Sequence, residues 1–206
     1  MNDLETKLDA LAQLALRARC FFDFWWLYEG SPNREKNLDA MNQYSEFFRF
    51  DTHSHQIAYT MYLCQLFESK ANTMNISGTL REARDRGLPQ KNIAGVEQLL
   101  REAEPIAGNL VIIRSNLFAH RSLSLGYDAA FAKAAITPNQ IGHLYDIGLE
   151  AVNLLRVAFG QDEQEVSALP TEDLSRLLKD MTMNGYRLGA PDACERVPST
   201  RRGPSY

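Results

Sequence analysis

An arginine and a histidine stand six positions apart in the segment RSNLFAHR, residues 114–121. Arg114 carries a permanent positive charge, which can clamp two phosphate oxygens and stabilise charge that develops in a transition state. A histidine such as His120 titrates near neutral pH, so it can take a proton from a ribose 2′-hydroxyl or give one to a leaving oxygen. These residue types could cleave a phosphodiester bond, and such chemistry requires no metal ion.

The helix predicted to carry this pair has an apolar stripe formed by Ile106, Leu110, Ile113 and Leu117. At about 100° per residue, Arg114 falls on one edge of the stripe and His120 on the other, separated by about 120° and roughly 9 Å of rise. One isolated helix would not bring the two side chains together. A cleft shared by two copies of the chain would do so, because both edges would line it.

Two further polar residues share these edges. Arg121 lies seven residues after Arg114 on the same edge, and Asn116 lies four before His120, where the two side chains can touch. A structural interpretation stays open beside the catalytic one: a surface arginine, and a histidine near a helix C-terminus, where the helix dipole favours a cation. Spacing alone favours this second interpretation.

The remaining candidates for a metal or nucleotide site are weaker. His53 and His55 are two apart and point to different sides of a helix, so solvated or capping histidines are favoured over a metal site. His143 lies beside an apolar stripe and is predicted to be partly buried. The sequence contains no GxxxxGK[ST], GxGxxG or GxSxG motif. We therefore expect no metal and no cofactor.

Composition restricts the classes of protein to which the chain can belong. The 206 residues carry a net charge of −4, which excludes a polybasic coat on nucleic acid but not a small basic cleft. Hydrophobic residues make up 45% of the chain and charged residues 23%, as in ordinary globular domains. Cys20, Cys64 and Cys194 form no CxxC pair, which favours free thiols in a reducing cytoplasm.

We expect a cytoplasmic protein with no membrane partner. Residues 1–19 carry acidic side chains and lack the apolar block of a signal peptide. The most apolar stretch, Phe21–Tyr28, contains Asp23 and is shorter than the roughly 20 residues of a membrane helix. Because this stretch is apolar on nearly every side, we expect several neighbouring helices or a second subunit to cover it.

Apolar residues spaced three and four apart predict helices, and no segment shows the alternation typical of strands. The main helices are predicted from Asp3 to Gly30, over residues 33–50, 51–70 and 91–103, from Pro105, and from the pair Thr137-Pro138. A continuous join between the second and third of these helices stays open, because no strong helix breaker lies between Phe50 and His53. Short helices are predicted over Thr79–Arg86, capped at Ser77, and from Thr171, with Leu174, Leu177 and Leu178 facing inward. The predicted fold is an all-α, antiparallel bundle of about five or six helices. It forms one domain over residues 1–184, followed by a flexible tail at residues 185–206.

The segment RSNLFAHR resembles the motif of the HEPN superfamily, an arginine, four to six intervening residues and a histidine. It is similar to the branch associated with abortive phage infection, in which long apolar helices precede the motif and an SLSL-type loop and a TPxQI segment follow it. The resemblance covers roughly residues 5–160. It implies a helical bundle that dimerises and joins two motifs in one cleft, commonly as a metal-independent endoribonuclease of toxin or phage-defence type.

Carried over by position, the resemblance makes Arg114 and His120 the catalytic pair. Ser115 or Asn116 would be the polar residue that follows the arginine, and Arg121 a further residue that supports or binds RNA. The implied partners are RNA, a second copy of the chain, and an antitoxin or regulatory protein. Two positions depart from the family pattern: Ser115 stands where asparagine or aspartate is more usual, and Ser122 replaces the tyrosine that is modified in some toxin–antitoxin pairs.

Two other functions stay open. The first is a non-catalytic helical module for dimerisation or partner binding, which the apolar stretch Phe21–Tyr28 motivates. The second is a small-molecule nucleotide binder, which the superfamily name allows although no phosphate-binding loop supports it. A solvent-filled cleft that contains both copies of Arg114 and His120 would favour the enzyme over the module.

Overall fold

The computed structural model describes residues 3–30, 33–70, 73–119 and 126–184. Over these ranges the chain forms eight α-helices and no strands, which confirms the all-α bundle and exceeds the predicted five or six helices. The helices are α1 (Asp3–Glu29), α2 (Asn33–Gln43), α3 (Ser45–Phe67), α4 (Ile76–Asp85), α5 (Gln90–Ile113), α6 (Tyr127–Ala134), α7 (Pro138–Ala158) and α8 (Leu169–Asn184). The predicted tail, residues 185–206, lies outside the described residues.

The four long helices α1, α3, α5 and α7 form the bundle, and each contacts the next around a closed ring. Arg19 of α1 reaches Asp146 of α7 at 3.3 Å, whereas Asp9 pairs with Arg156 at 2.6 Å, so these two helices are antiparallel. The short helices α2 and α8 pack on each other at one side of the ring. None of the described helices is both long enough and apolar enough to cross a bilayer.

The predicted apolar stripe of α1 is buried along most of its length. Its fully buried members are Leu4, Leu8, Leu11, Ala15 and Ala18. Because they recur every three or four residues, they lie on one face of the helix and contribute to the main core. Burying each leucine side chain stabilises the fold by about 1.5–3 kcal/mol.

The apolar stretch Phe21–Tyr28 packs against α3 of the same chain. Phe22 meets Tyr59 edge to face, with 5.6 Å between ring centroids, and Tyr28 meets Phe48 in the same way at 5.4 Å. The Tyr28 hydroxyl donates a hydrogen bond of 2.8 Å to Asp51. The sequence predicts that either neighbouring helices or a second subunit cover this stretch, and in the structure a neighbouring helix of the same chain covers it.

His55 lies within this aromatic packing and is neither solvated nor a helix cap. Its ring stacks on Tyr28 with an interplanar angle of 7°, and its Nε2 lies 3.3 Å from Asp51 Oδ2. Burial lowers the pKa of His55 below its ordinary value of 6.5, although the Asp51 carboxylate opposes the shift. The neutral ring is therefore favoured in the folded state.

Two predicted helix boundaries differ from the structure. The third helix begins at Ser45, after a break at Tyr44, so the chain is continuous across Phe50 and Asp51, the alternative that the sequence left open. No break occurs at Pro105, which lies inside the continuous helix α5. The buried face of α5 against α7 outweighs the hydrogen bond that a proline cannot donate.

Smaller differences also follow from local contacts. Helix α4 is capped by Asn75, whose Oδ1 accepts from the Gly78 N–H at 2.7 Å, and not by Ser77. Helix α6 was not predicted. Leu177 is 55% exposed rather than inward-facing, and the side chain of His143 is exposed and paired with Glu102 at 2.7 Å.

Helix α7 begins where the sequence predicts. Thr137 accepts from the Gln140 N–H at 3.3 Å, and the Gln140 side chain accepts from the Thr137 N–H at 2.9 Å, which completes a capping box before Pro138. We expect Thr137→Ala to lower the free energy of unfolding by about 1 kcal/mol. Urea denaturation measures this change. Thr137→Ser retains the acceptor oxygen and should unfold close to wild type; an equal loss in both variants would contradict the cap.

The buried neutral His55 predicts a loss of stability in mild acid. Its folded pKa is lowered, so below the unfolded value of 6.5 the unfolded chain binds a proton that the folded chain refuses, and stability falls as pH falls. The slope from this group is at most about 1.4 kcal/mol per pH unit. Urea denaturation between about pH 7.5 and about pH 5.5 measures it. The slope should shrink in His55→Gln and persist in His143→Gln, which alters an exposed histidine; an unchanged slope in His55→Gln refutes the assignment.

Candidate active site

The helix that carries the predicted motif changes its hydrogen-bond pattern where the motif begins. Arg114–Ala119 form a π-helical segment directly after α5. Its N–H groups bond five residues back instead of four, a rare arrangement that is frequent at functional sites. The predicted edges for Arg114 and His120 assumed α-helical geometry, and this assumption is wrong over residues 114–119 because a π-helical turn contains more residues.

Asn116 stabilises the transition into the π-helical segment. Its Nδ2 donates a 2.7 Å hydrogen bond to the carbonyl oxygen of Ile112, in the last turn of α5. The bond gives this carbonyl oxygen a hydrogen-bond donor at the point where the backbone pattern changes from α-helical to π-helical. Ser115, next to it, is exposed.

Arg114 is partly buried and holds hydrogen-bonding capacity in reserve. Its Nη1 lies 3.8 Å from Oε2 of Glu68, and the two side chains are 26% and 13% exposed. Glu68 directly follows the last residue of α3, so the packing of α3 sets its position. The Nε of Arg114 is buried and has no hydrogen-bond partner among the described residues. A guanidinium with one long ion pair and an unused donor can bind a further acceptor.

A cavity of 530 Å³ opens beside Arg114, between the end of α3, the start of α4 and α5. Lys70 and Arg101 also line it, so three cations face the carboxylates of Glu68 and Glu104. This excess of positive charge suits an anionic ligand such as a phosphate. We call this space the cationic cavity.

Cys64 also lines the cationic cavity. Burial raises the pKa of its thiol to about 12, although the nearby Arg114 opposes the shift. Because the thiolate is the nucleophilic form, Cys64 stays inert at neutral pH. The groups of this cavity that can act on a ligand at neutral pH are therefore its cations, which can bind an anion.

A second cavity, of 690 Å³, lies among the C-terminal end of α1, α2, the first half of α3 and the start of α6. His53 lines it and also meets Phe118 of the π-helical segment edge to face, with 5.9 Å between ring centroids. Tyr127, which follows the motif in the chain, lines the same cavity, and its hydroxyl donates a 2.9 Å hydrogen bond to Gln56. We call it the aromatic cavity.

The described residues include part of the predicted site. Arg114, Ser115 and Asn116 are described, whereas His120 and Arg121 lie outside the described residues. Within the described ranges, no group of three or more His, Cys, Asp or Glu side chains is arranged to hold a metal ion. Sequence reasoning did not find the cavity residues Glu68, Lys70 and Arg101, because no motif links them to Arg114. The available signal was the charged pair at the end of the predicted helix 51–70.

Comparison with known proteins identifies the family. The HEPN-type family model described as AbiU2 matches residues 1–180, which include α1 to α7, most of α8 and the π-helical segment. No curated protein and no solved structure matches the chain. The match confirms the resemblance to HEPN proteins of abortive infection. The chain therefore belongs to the AbiU2 family of HEPN-type abortive-infection proteins, and this membership indicates a role in phage defence.

Proposed function

We propose that the chain is a metal-independent endoribonuclease that acts in phage defence as a homodimer, with Arg114 and His120 as its composite site. The observation that carries the proposal is the state of Arg114. Arg114 is the first residue of the π-helical segment, and its Nε has no hydrogen-bond partner among the described residues. Its side chain lines a cavity in which cations exceed carboxylates. Membership of the AbiU2 family supports the same function.

In the proposed reaction, the ribose 2′-oxygen attacks the adjacent phosphorus. A bond forms between the 2′-oxygen and phosphorus, and the bond between phosphorus and the 5′-oxygen breaks. His120 takes the proton from the 2′-hydroxyl or, as a general acid, gives a proton to the leaving 5′-oxygen. The products are a 2′,3′-cyclic phosphate and a 5′-hydroxyl, and no water is consumed.

Arg114 stabilises the additional negative charge on the phosphate oxygens in the transition state. Glu68 orients the guanidinium through a contact of 3.8 Å. Because this ion pair is long, a phosphate oxygen can bind the guanidinium at a shorter distance than Glu68 does. Ser115 and Asn116 follow Arg114 in the chain: Ser115 is exposed and available to RNA, and Asn116 holds the backbone at Ile112. Arg121 supplies a further positive charge for RNA.

A second copy of the chain completes the proposed site, because two motifs in one cleft provide two arginines and two histidines. The substrate is RNA in the cytoplasm, and an antitoxin or regulatory protein restrains the enzyme between infections. Because the chain carries a net charge of −4, RNA is bound through local cations rather than through the field of the whole protein.

A non-catalytic partner-binding module is the second candidate, and a different surface favours it. The packing of Phe21–Tyr28 on α3 removes its original motivation. Helix α8, however, leaves Leu169, Leu177 and Met183 between 55% and 67% exposed. Exposed apolar side chains in one helix are typical of a surface that binds another protein.

Purified full-length protein tests the proposed nuclease. In EDTA, wild type should cleave RNA to fragments whose mass shows 2′,3′-cyclic phosphate ends. We expect Arg114→Ala and His120→Ala each to lower the rate by at least about 100-fold, because each removes a group that acts in the transition state.

Two matched controls accompany this assay. Arg176→Ala removes an exposed arginine of α8, and His143→Ala removes an exposed histidine of α7; both variants should keep the wild-type rate. If Arg114→Ala and His120→Ala cleave RNA as fast as these controls, the proposed site is wrong. If the wild type does not cleave RNA at all, the partner-binding module is the better function.

A further inference from the structure

The aromatic cavity is built for a planar ligand that also forms hydrogen bonds. Trp25, Phe50 and Tyr127 supply aromatic surface, and Phe50 is 60% exposed. The guanidinium of Arg49 lies 4.3 Å from the Phe50 ring centroid, so it adds a second flat layer. Nucleobases stack on aromatic rings and on arginine planes of this kind.

The cavity also contains an unused polar group. The hydroxyl oxygen of Thr52 is buried and has no hydrogen-bond partner among the described residues, and Thr52 lines the cavity. A buried hydroxyl without a partner costs free energy, and it can both donate to and accept from a ligand. The edge of a base offers donors and acceptors at the rim of its flat surface.

Polar groups and size agree with a nucleotide. Arg34 and Arg49 line the cavity, where Arg34 pairs with Glu29 at 2.6 Å and Arg49 pairs with Glu46 at 2.7 Å. Each guanidinium carries five N–H donors, which is more than its ion pair uses. The volume of 690 Å³ falls within the range of sites that bind small molecules.

The cavity adjoins the proposed catalytic motif. His53 of the cavity contacts Phe118, which precedes His120 by two residues in the sequence. Resting on the proposed function, we infer that the aromatic cavity binds an unpaired base of single-stranded RNA that flanks the cleavage site. The base stacks on the Phe50–Arg49 layer, and the Thr52 hydroxyl bonds to its edge. The site thereby makes the enzyme select single-stranded over double-stranded RNA.

A binding measurement tests this inference separately from cleavage. Full-length protein is titrated against a labelled single-stranded RNA with 2′-O-methyl sugars, which lacks the attacking hydroxyl. Fluorescence anisotropy gives the affinity. We expect Phe50→Ala to weaken binding about tenfold, as loss of one base–aromatic stack does. Thr52→Val should weaken it several-fold, and Phe50→Trp should restore it to near wild type.

The chain offers a matched control for Phe50. Phe47 is on the same helix and is 61% exposed, but it does not line the cavity, so Phe47→Ala should bind RNA as wild type does. Circular dichroism melting confirms that each variant is folded. The affinity for a blunt RNA duplex of the same length should not differ between wild type and Phe50→Ala.

Several results would overturn the inference. Equal RNA affinity of Phe50→Ala and Phe47→Ala would show that no base stacks on the cavity wall. A shift of Phe50→Ala to a smaller mass in sedimentation, with unchanged RNA affinity, would assign the surface to a second copy of the chain. If binding depends on Phe50 but wild type does not cleave unmodified RNA, the base site stands and the nuclease fails. Cleavage without any dependence of binding on Phe50 gives the reverse result.

Discussion

Burial of the apolar stripe of α1 is the constraint on which the rest of the structure depends. This 27-residue helix contacts both α3 and α7, and its fully buried leucines cannot leave the core without exposing both neighbours. The pair between Asp9 and the buried Arg156 fixes α7 along it. The aromatic packing of Tyr28 fixes α3 in the same way. Helix α3 carries His53, which contacts Phe118, and Glu68 follows its last residue and contacts Arg114. By positioning α3, helix α1 therefore also positions these two contacts with the π-helical segment.

The π-helical segment begins at a buried donor that has no hydrogen-bond partner among the described residues. An unpartnered buried donor such as Arg114 Nε costs about 1–3 kcal/mol, and the fold retains it at the end of a 24-residue helix that is otherwise well packed. Asn116 offsets part of the change in hydrogen bonding through Ile112. The proposed contact with RNA would use such a donor, because a phosphate oxygen matches a guanidinium in charge and geometry.

Local signals made part of this fold predictable. The stripe of α1 and the start of α7 at Thr137 follow from spacing and capping within a few residues. The break at Tyr44 has no side-chain cap that the sequence could indicate, and the continuity of α5 through Pro105 depends on packing against α7, which spacing does not report. The candidate site divides in the same way. The motif predicts Arg114 as a site residue. It does not indicate its partner Glu68, which is 46 positions earlier, or the π-helical geometry of the segment.

The net charge of −4 is compatible with the proposed RNA substrate because charge is distributed unevenly over the chain. Cations exceed carboxylates in the lining of the cationic cavity, and the arginines of the aromatic cavity are each paired with a carboxylate. The acidic segment from Asp162 to Glu165 and the first turn of α8 lie outside both cavities. Binding that depends on few phosphate contacts has a shallow dependence on salt, and base stacking adds affinity that salt does not screen. An acidic protein that is proposed to cut single-stranded RNA therefore needs an aromatic site beside its arginine more than a basic chain would. For the proposed RNA substrate, the acidic surface would also oppose attachment away from the cavities, so the negative charge would favour the proposed site over the rest of the protein.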